Sequence, residues 1–491
     1  MPQNNTALKP GLGLLDGTMI VAGSMIGSGI FIVSADMLRH VGGAGWLILV
    51  WLITGFMTLT AAISYGELSG MFPKAGGQYI YLKEAYSPLV GFMYGWSFFS
   101  VIQTGTIAAV GVAFSKFAAY VVPASLVPYV SEDNIVVNIP LGGSNFTISA
   151  AQLVSIILIV LLTYSNTRGL KGGKWIQNIF TSTKLLSLFG LIVAGFIMFN
   201  PAVWHANWAH AWQATQETLN DAAHPAAGSV IVPIAGAALF GGIASAMVGS
   251  VFSSDAWNNV TFIAGEMKNP KRNIGLSLLF GTLIVTVIYV SINLVYLGTL
   301  TLPEITHAEK GRVAISAANV IFGNAGSIVI GVMIMISTFG CNNGLILAGA
   351  RVYYTMAQDG LFFKKAATLN KNAVPSWALW AQCAAAAILC LSGKYGDLLD
   401  MISFVVVIFY VLTILGIFIL RVKKPGAERP YKAFGYPVLP IMYIIMGVSF
   451  CVLLFIYEQK YTLYGLIIAL IGIPLYYLAV PKKTSAGDST R

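Results

Sequence analysis

The chain is short of charge. Only 9% of its 491 residues are Asp, Glu, Lys or Arg, against 57% hydrophobic residues and a mean hydropathy of +0.78. A soluble globular domain carries about 25% charged residues, so this composition describes an integral membrane protein. Cysteine is also scarce. Cys341, Cys383, Cys390 and Cys451 all fall in or beside apolar runs, and no structural disulfide is expected. The five histidines (His40, His205, His210, His224 and His307) lie in connections or at their edges. None is left inside a span to relay protons, and His205 and His210 lack the spacing of a metal site. No group of His, Cys or carboxylate residues shares one membrane depth, which argues against a membrane enzyme. Neither a metal nor a cofactor is expected. The net charge of +10 does not predict nucleic-acid binding, because the basic residues sit in particular connections between apolar runs. A cleavable signal is not apparent either: residues 1–10 are polar, and the next run is too long and is interrupted by glycine.

What the chain has is about twelve apolar runs of roughly 20 residues, the length of membrane-crossing helices rather than barrel strands. They cover 12–37, 43–70, 88–121, 149–166, 175–199, 232–265, 274–300, 324–356, 374–392, 397–420, 435–457 and 462–480, and are numbered here as segments 1 to 12. With the N-terminus inside, 21 of the 28 Lys and Arg residues fall on the cytoplasmic side and six on the other. The remaining one, Lys184, is inside segment 5. This asymmetry predicts cytoplasmic N- and C-termini. The second part of the first inner connection, 72–86, is expected to form either a short amphipathic helix at the cytoplasmic face or an ordinary interfacial loop.

Two runs are interrupted. Segment 1 contains Met25-Ile26-Gly27-Ser28-Gly29-Ile30-Phe31, and each Gly costs roughly 1 kcal/mol against Ala in a helix interior. Segment 6 contains Gly249-Ser250-Val251-Phe252-Ser253-Ser254-Asp255-Ala256-Trp257-Asn258. Small residues can simply mark packed helix faces. An acid within an apolar span needs a stronger reason, and paired interruptions in corresponding halves point to the binding site of a transporter built from inverted repeats.

Five stretches carry a family resemblance. Gly27 to Phe31 resembles the segment-1 motif of the amino acid–polyamine–organocation superfamily. Phe252 to Asn258 with Glu266 to Asn273 resembles segment 6 and its exit in the L-type amino acid transporter branch, and Trp175 to Leu186 resembles segment 5. Pro73 to Tyr79 is similar to the first inner loop, and Asn343-Gly344, Arg351 and Met356 to Gly360 to segment 8 and its exit. The resemblance implies an all-α, LeuT-like fold of about 12 transmembrane helices, with segments 1–5 and 6–10 as inverted repeats and helices 1 and 6 broken. The implied organisation is a cytoplasmic N-terminus (1–11), a first repeat (12–199), an extracellular loop (200–231), a second repeat (232–420), segments 11 and 12 (421–480) and a cytoplasmic tail (481–491).

The site chemistry follows from an amino acid zwitterion. Its carboxylate wants amide donors at a positive half-helix end, expected at Gly27, Ser28, Gly29 and Ile30. Its ammonium wants carbonyls at half-helix C-termini, expected at Met25, Ile26, Phe252, Ser253 and Asp255. The resemblance makes Phe252 the aromatic lid rather than a core phenylalanine, and puts Asn258 at the substrate or in the gating network. Ser254 would face the side-chain pocket. Asp255 could bond the unwound backbone, meet the substrate ammonium or titrate. Lys184 lies about ten residues into segment 5, roughly 15 Å along the helix. It either snorkels to the interface or, as the resemblance implies, stands where sodium-coupled relatives hold a cation and ties segment 1 to segment 8. The second reading predicts sodium-independent transport of neutral L-amino acids, by exchange, with proton-coupled symport as the alternative. The expected partners are an amino acid and the lipid bilayer. Animal relatives attach a partner through an outer-loop cysteine; residues 122–148 contain none, so no disulfide-linked heavy chain is expected, and the setting implied is the bacterial inner membrane. Oligomeric state is left open.

Overall fold

The computed structural model describes residues 11–74, 76–141, 144–168, 173–219, 229–372, 374–392 and 395–479. The two terminal stretches, His224, Lys9, Lys171, Lys394, Lys482, Lys483 and Arg491 lie outside them. Among the described residues nine helices are long and apolar enough to cross a membrane: Ala44–Met71, Pro88–Val121, Ala150–Thr167, Phe180–Ile197, Pro270–Thr299, Val313–Gln358, Tyr395–Lys423, Val438–Tyr457 and Gln459–Leu478. Three shorter apolar helices, Leu14–Met25, Ala237–Ser253 and Ser376–Leu391, complete segments 1, 6 and 9. Segments 1 and 6 are short because both are broken. The first helix stops at Met25 and resumes as a turn at Gly29–Phe31 and a helix at Val33–Val41; the other stops at Ser253 and resumes at Asn259–Phe262.

Helix packing explains how the breaks face each other. Segment 2 packs on 7, 3 on 8 and 4 on 9; segment 1 packs on 7 as 6 does on 2, and segment 5 on 8 as 10 does on 3. Exchanging each segment n with n + 5 maps this set of pairs onto itself, the packing of two five-segment repeats. The long helix Val313–Gln358 is bent at Gly323, whose φ of 71° and ψ of −175° leave the helical region. Glycine occupies that conformation without a Cβ penalty, and the bend separates an external helix from the crossing part of segment 8.

Two antiparallel hairpins, Ile135–Leu141 with Ser144–Ser149 and Thr215–Leu219 with Ser229–Pro233, sit on one face. The first inner connection, on the opposite face, has the helix expected in its second part, but not the amphipathic character. Gln78–Ala85 is a helix, but Gln78, Tyr79, Ile80, Tyr81, Leu82 and Ala85 are all buried. It packs against segments 3 and 10 rather than lying on the membrane surface, because both sides of the helix carry apolar or aromatic groups.

Candidate functional site

The two breaks meet at a point of close contact. A Cβ on Gly29 would lie 2.0 Å from Ser253 Oγ and 3.1 Å from Ser253 Cα, so only glycine lets the backbones approach this far. Beyond the first break the turn's own hydrogen bonds are donated by Phe31 to Ser28 O (3.2 Å) and Ile32 to Gly29 O (2.8 Å). The amides of Ser28, Gly29 and Ile30 precede those donors and stand at the positive start of the second half-helix. Met25, Gly27, Ser28, Gly29, Phe252, Ser253 and Asp255 line one cavity of about 20 Å³, together with Ser24, Thr106, Val110, Ala256, Cys341 and Leu345. That space holds about one water molecule, so the site is contracted in this conformation.

Four expected residues lie beside this cavity rather than in it. Ile30 is fully buried, and its carbonyl accepts from Tyr296 Oη at 3.3 Å. Ile26 is fully buried and its carbonyl accepts from Lys184 Nζ at 2.9 Å. Ser254 lines a second cavity of about 20 Å³ on the far side of Asp255, walled by Thr54, Thr58, Trp257 and Tyr410. Asn258 donates its Nδ2 to Gln78 Oε1 (3.0 Å), and Gln78 Nε2 donates to Thr413 Oγ1 (3.0 Å). Asn258 therefore joins the second half of segment 6 to the buried inner helix and to segment 10. Asp255 is 8% exposed and accepts from Tyr410 Oη at 2.5 Å. Ala256, next to it, has a φ of +62°, a left-handed conformation that costs a non-glycine residue roughly 1–2 kcal/mol.

Lys184 does not reach the interface. It is 1% exposed, and its ammonium donates to Gly23 O (2.7 Å) and Ile26 O (2.9 Å). Both carbonyls belong to the end of the first half-helix, where helical donors run out. Hydrogen bonds from an ammonium to such carbonyls satisfy both sides in a low-dielectric setting. The expected bridge from Lys184 to segment 8 takes a different form: segment 8 arrives through Cys341, whose Sγ lies 3.7 Å from Ser24 O. All four cysteines are free.

Several residues of the site were not singled out in the sequence. Tyr289 of segment 7 places one hydroxyl 3.0 Å from Met25 O and 2.9 Å from Ser253 O, touching the carbonyl ends of both broken helices. Tyr395, at the start of segment 10, lies 3.3 Å by its hydroxyl from Ser28 Oγ and packs edge-on against Phe252, ring centroids 6.0 Å apart. A tyrosine in an apolar helix needs a partner for its hydroxyl when buried; that was the available clue for Tyr289 and Tyr410, while nothing local marked Tyr395.

Above the Phe252–Tyr395 pair a vestibule of about 780 Å³ opens at the hairpin face. Below the breaks the opposite face is closed by several layers. Asn258, Gln78 and Thr413 form one, and Arg351–Glu266 (2.8 Å) another. Asp359 accepts from Tyr79 (2.7 Å) and Lys83 (2.5 Å). Glu67 is wholly buried and accepts from Arg421 (3.0 and 2.7 Å) and the Ala433 amide (2.8 Å), with Arg429 at 3.4 Å. Gly11 and Leu12 donate to Glu266 O (2.9 and 3.0 Å), and Lys268 N donates to Leu12 O (2.8 Å).

A family model described as amino acid permease matches residues 12–479. Serine/threonine exchanger SteT of Bacillus subtilis is 29% identical over 99% of this chain and 100% of its own length. Asc-type amino acid transporter 1 of Mus musculus is 28% identical over 96% of this chain and 82% of its own, and b(0,+)-type amino acid transporter 1 of the same species 26% over 97% and 89%. The family and these relatives are transporters, not enzymes. With its twelve apolar segments and two broken helices, the chain belongs to the amino acid permease family of the amino acid–polyamine–organocation superfamily and is an integral membrane protein.

Proposed function

We propose that this protein moves neutral L-amino acids across a bacterial inner membrane by sodium-independent exchange, opening its site alternately to the two faces. The observation that carries the reading is the Lys184 ammonium on Gly23 O and Ile26 O. A fixed positive charge on the carbonyls of the first break supplies the stabilisation that a bound cation would bring. The substrate carboxylate takes the amides of Ser28, Gly29 and Ile30, and the ammonium takes the carbonyls of Met25 and Ser253 with the Asp255 carboxylate. Tyr289 holds those two carbonyls together before substrate arrives. Phe252 and Tyr395 are the lid, and entry requires Tyr395 to leave Ser28. The Asn258–Gln78–Thr413 layer breaks when the opposite face opens. The printed name of the Bacillus relative, a serine/threonine exchanger, supports exchange of a neutral amino acid. The excess of basic residues on the face opposite the hairpins supports cytoplasmic termini.

Proton-coupled symport is the second reading, and Asp255 favours it: a buried carboxyl at the break under a tyrosine hydroxyl can change protonation as the site opens. One experiment separates the two. The purified chain is reconstituted without sodium, and uptake of labelled alanine, serine and leucine is followed into vesicles preloaded with amino acid or empty, with and without an inward proton gradient. Exchange requires uptake into preloaded vesicles that ignores the gradient. Gradient-driven uptake into empty vesicles would replace exchange with symport, and a sodium requirement would overturn the role given to Lys184.

A further inference from the structure

The face opposite the hairpins is uneven in charge. Glu67, Glu84, Glu266, Asp359 and Glu428 each pair there with a Lys or Arg. One corner holds cations with no acid paired to them. It is built from the end of segment 4 and the connection between segments 8 and 9. Residues 134–216 and 360–396 contain no Asp or Glu. Arg168, Lys364, Lys365 and Lys371 are all exposed there, and none forms an ion pair with a described residue. The corner has a fixed shape. Lys364 and Lys365 stand on one helical turn, Lys364–Ala367, which is anchored by the buried Ala366. Lys371 lies between two asparagines that grip segment 4: Asn370 Nδ2 donates to Thr167 O and Asn372 Nδ2 to Arg168 O, both at 2.8 Å. Carbonyls at a helix end need such outside donors, and the two bonds hold Lys371 beside Arg168. Arg168 lies over the Tyr164 ring, 5.0 Å from its centroid, and its Nε donates to Tyr164 Oη at 3.0 Å.

The surface leading to these cations is apolar. On segment 4 the exposed Leu153, Ile157, Leu161 and Tyr164 recur every three or four residues, and the next step on the same helix face is Arg168. Segment 9 packs against segment 4 and carries a second exposed stripe, Trp380, Ala384 and Ile388. Phe363, 57% exposed, precedes the two lysines and meets Trp377 of segment 9 with ring centroids 5.5 Å apart. In an integral membrane protein such stripes face lipid tails, and exposed aromatic residues at their ends mark the level of the headgroups. A soluble anion or an acidic protein would satisfy the cations alone. A ligand that satisfies both the cations and the stripes has an anionic head and apolar chains.

We propose that this corner binds an anionic phospholipid of the surrounding bilayer. The phosphate takes Arg168 and Lys371, Lys364 and Lys365 add positive charge around it, and the chains lie along the stripes of segments 4 and 9. Arginine presents paired N–H groups to a phosphate, and each Lys or Arg near the membrane surface favours an anionic lipid by about fivefold. Arg168 ends a helix of the first repeat and Lys371 belongs to the second, so a phosphate held by both ties the two repeats together at this face.

The test uses the full chain in detergent, titrated with phosphatidylglycerol or phosphatidylcholine, with bound lipid counted by native mass spectrometry. The wild type should hold phosphatidylglycerol at least tenfold more tightly than phosphatidylcholine, and high salt should narrow that gap. Arg168→Gln with Lys371→Gln should weaken phosphatidylglycerol binding at least tenfold. Arg272→Gln with Lys432→Gln removes two exposed charges of the same face outside the corner, and should change binding by less than twofold. Arg168→Lys with Lys371→Arg should retain most of the preference. In phosphatidylcholine nanodiscs, added phosphatidylglycerol should raise the melting temperature of the wild type and of the Arg272/Lys432 variant, but not of the Arg168/Lys371 variant. Equal losses in the two neutralised pairs would reduce the effect to general surface charge and overturn the proposal, as would a wild type without preference between the lipids. Displacement of the lipid by soluble glycerol 3-phosphate would make the corner a free-anion site and also overturn it. If the Arg168/Lys371 variant fails to elute as a single species, Lys371→Gln alone decides, with about a fivefold loss expected.

Discussion

Replacing Lys184 isolates the term on which sodium independence depends. Lys184→Ala deletes two ammonium-to-carbonyl bonds, at 2.7 and 2.9 Å, and leaves Gly23 O and Ile26 O without donors. A hydrogen bond to a charged group contributes about 1.5–3 kcal/mol, so the first break loses about 3–6 kcal/mol of support. At 1.4 kcal/mol per factor of ten, the aligned break becomes about 10²- to 10⁴-fold less populated. Turnover in proteoliposomes should fall at least 100-fold, because the amides of Ser28 to Ile30 no longer point as a set. Lys184→Met fills most of the same volume without the charge, and should lose nearly as much, which distinguishes charge from packing. Lys184→Arg keeps the charge, but its planar fork does not fit a site shaped for a compact ammonium, and it should recover only part. Turnover is measured as exchange of labelled serine at matched protein density, and folding is checked by thermal melting in detergent. A Lys184→Ala protein that melts normally and exchanges within twofold of wild type would refute the reasoning.

Gly29→Ala should nearly abolish uptake, since its Cβ would stand 2.0 Å from Ser253 Oγ; Gly29→Ala with Ser253→Gly should regain part of the rate, and equal loss in single and double variants would mean the contact is not the cause. Asn258→Ala should loosen the closed face by removing the 3.0 Å bond to Gln78, raising probe access from that face several-fold while Thr413→Val, one step down the same network, does so less. Glu67→Gln should lower stability by about 3–5 kcal/mol, the cost of removing one partner from a buried ion pair, because Arg421 and Arg429 are left facing a neutral group; thermal melting reads the shift, and a change within error would show that the arginines find other partners. Ala256→Gly should be tolerated and Ala256→Val should lower the melting temperature, since only the former accepts a φ of +62° without strain.

Much of the architecture was legible because the bilayer restricts what a chain can do. Backbone groups must be satisfied within each crossing element, so run length alone separated twelve segments, and two glycine- and serine-bearing interruptions stood out against that rule. The order of the breaks, five segments apart, also reads from the sequence. Gly27 to Gly29, Ser253 to Asp255 and Lys184 could be singled out for the same reason, as residues that an ordinary lipid-facing helix would not keep; Phe252 stood out only through the family resemblance.

What the sequence could not determine was which side chains the tertiary structure brings to those breaks. Tyr289, Tyr395 and Tyr410 come from segments 7 and 10 and converge on residues more than thirty positions away; only helix packing sets that meeting. The split of the expected site into a lined cavity, the Lys184 tether at Ile26 and the Asn258 layer likewise depends on which way each side chain turns once helix 6 unwinds. The burial of Gln78–Ala85 was hidden because its apolar and aromatic residues do not fall on one face, so periodicity gave no direction, and only the groove between segments 3 and 10 supplied a partner for both sides. Membrane solvation determined the segments and their breaks from the sequence; close packing of those segments decided what stands beside each break.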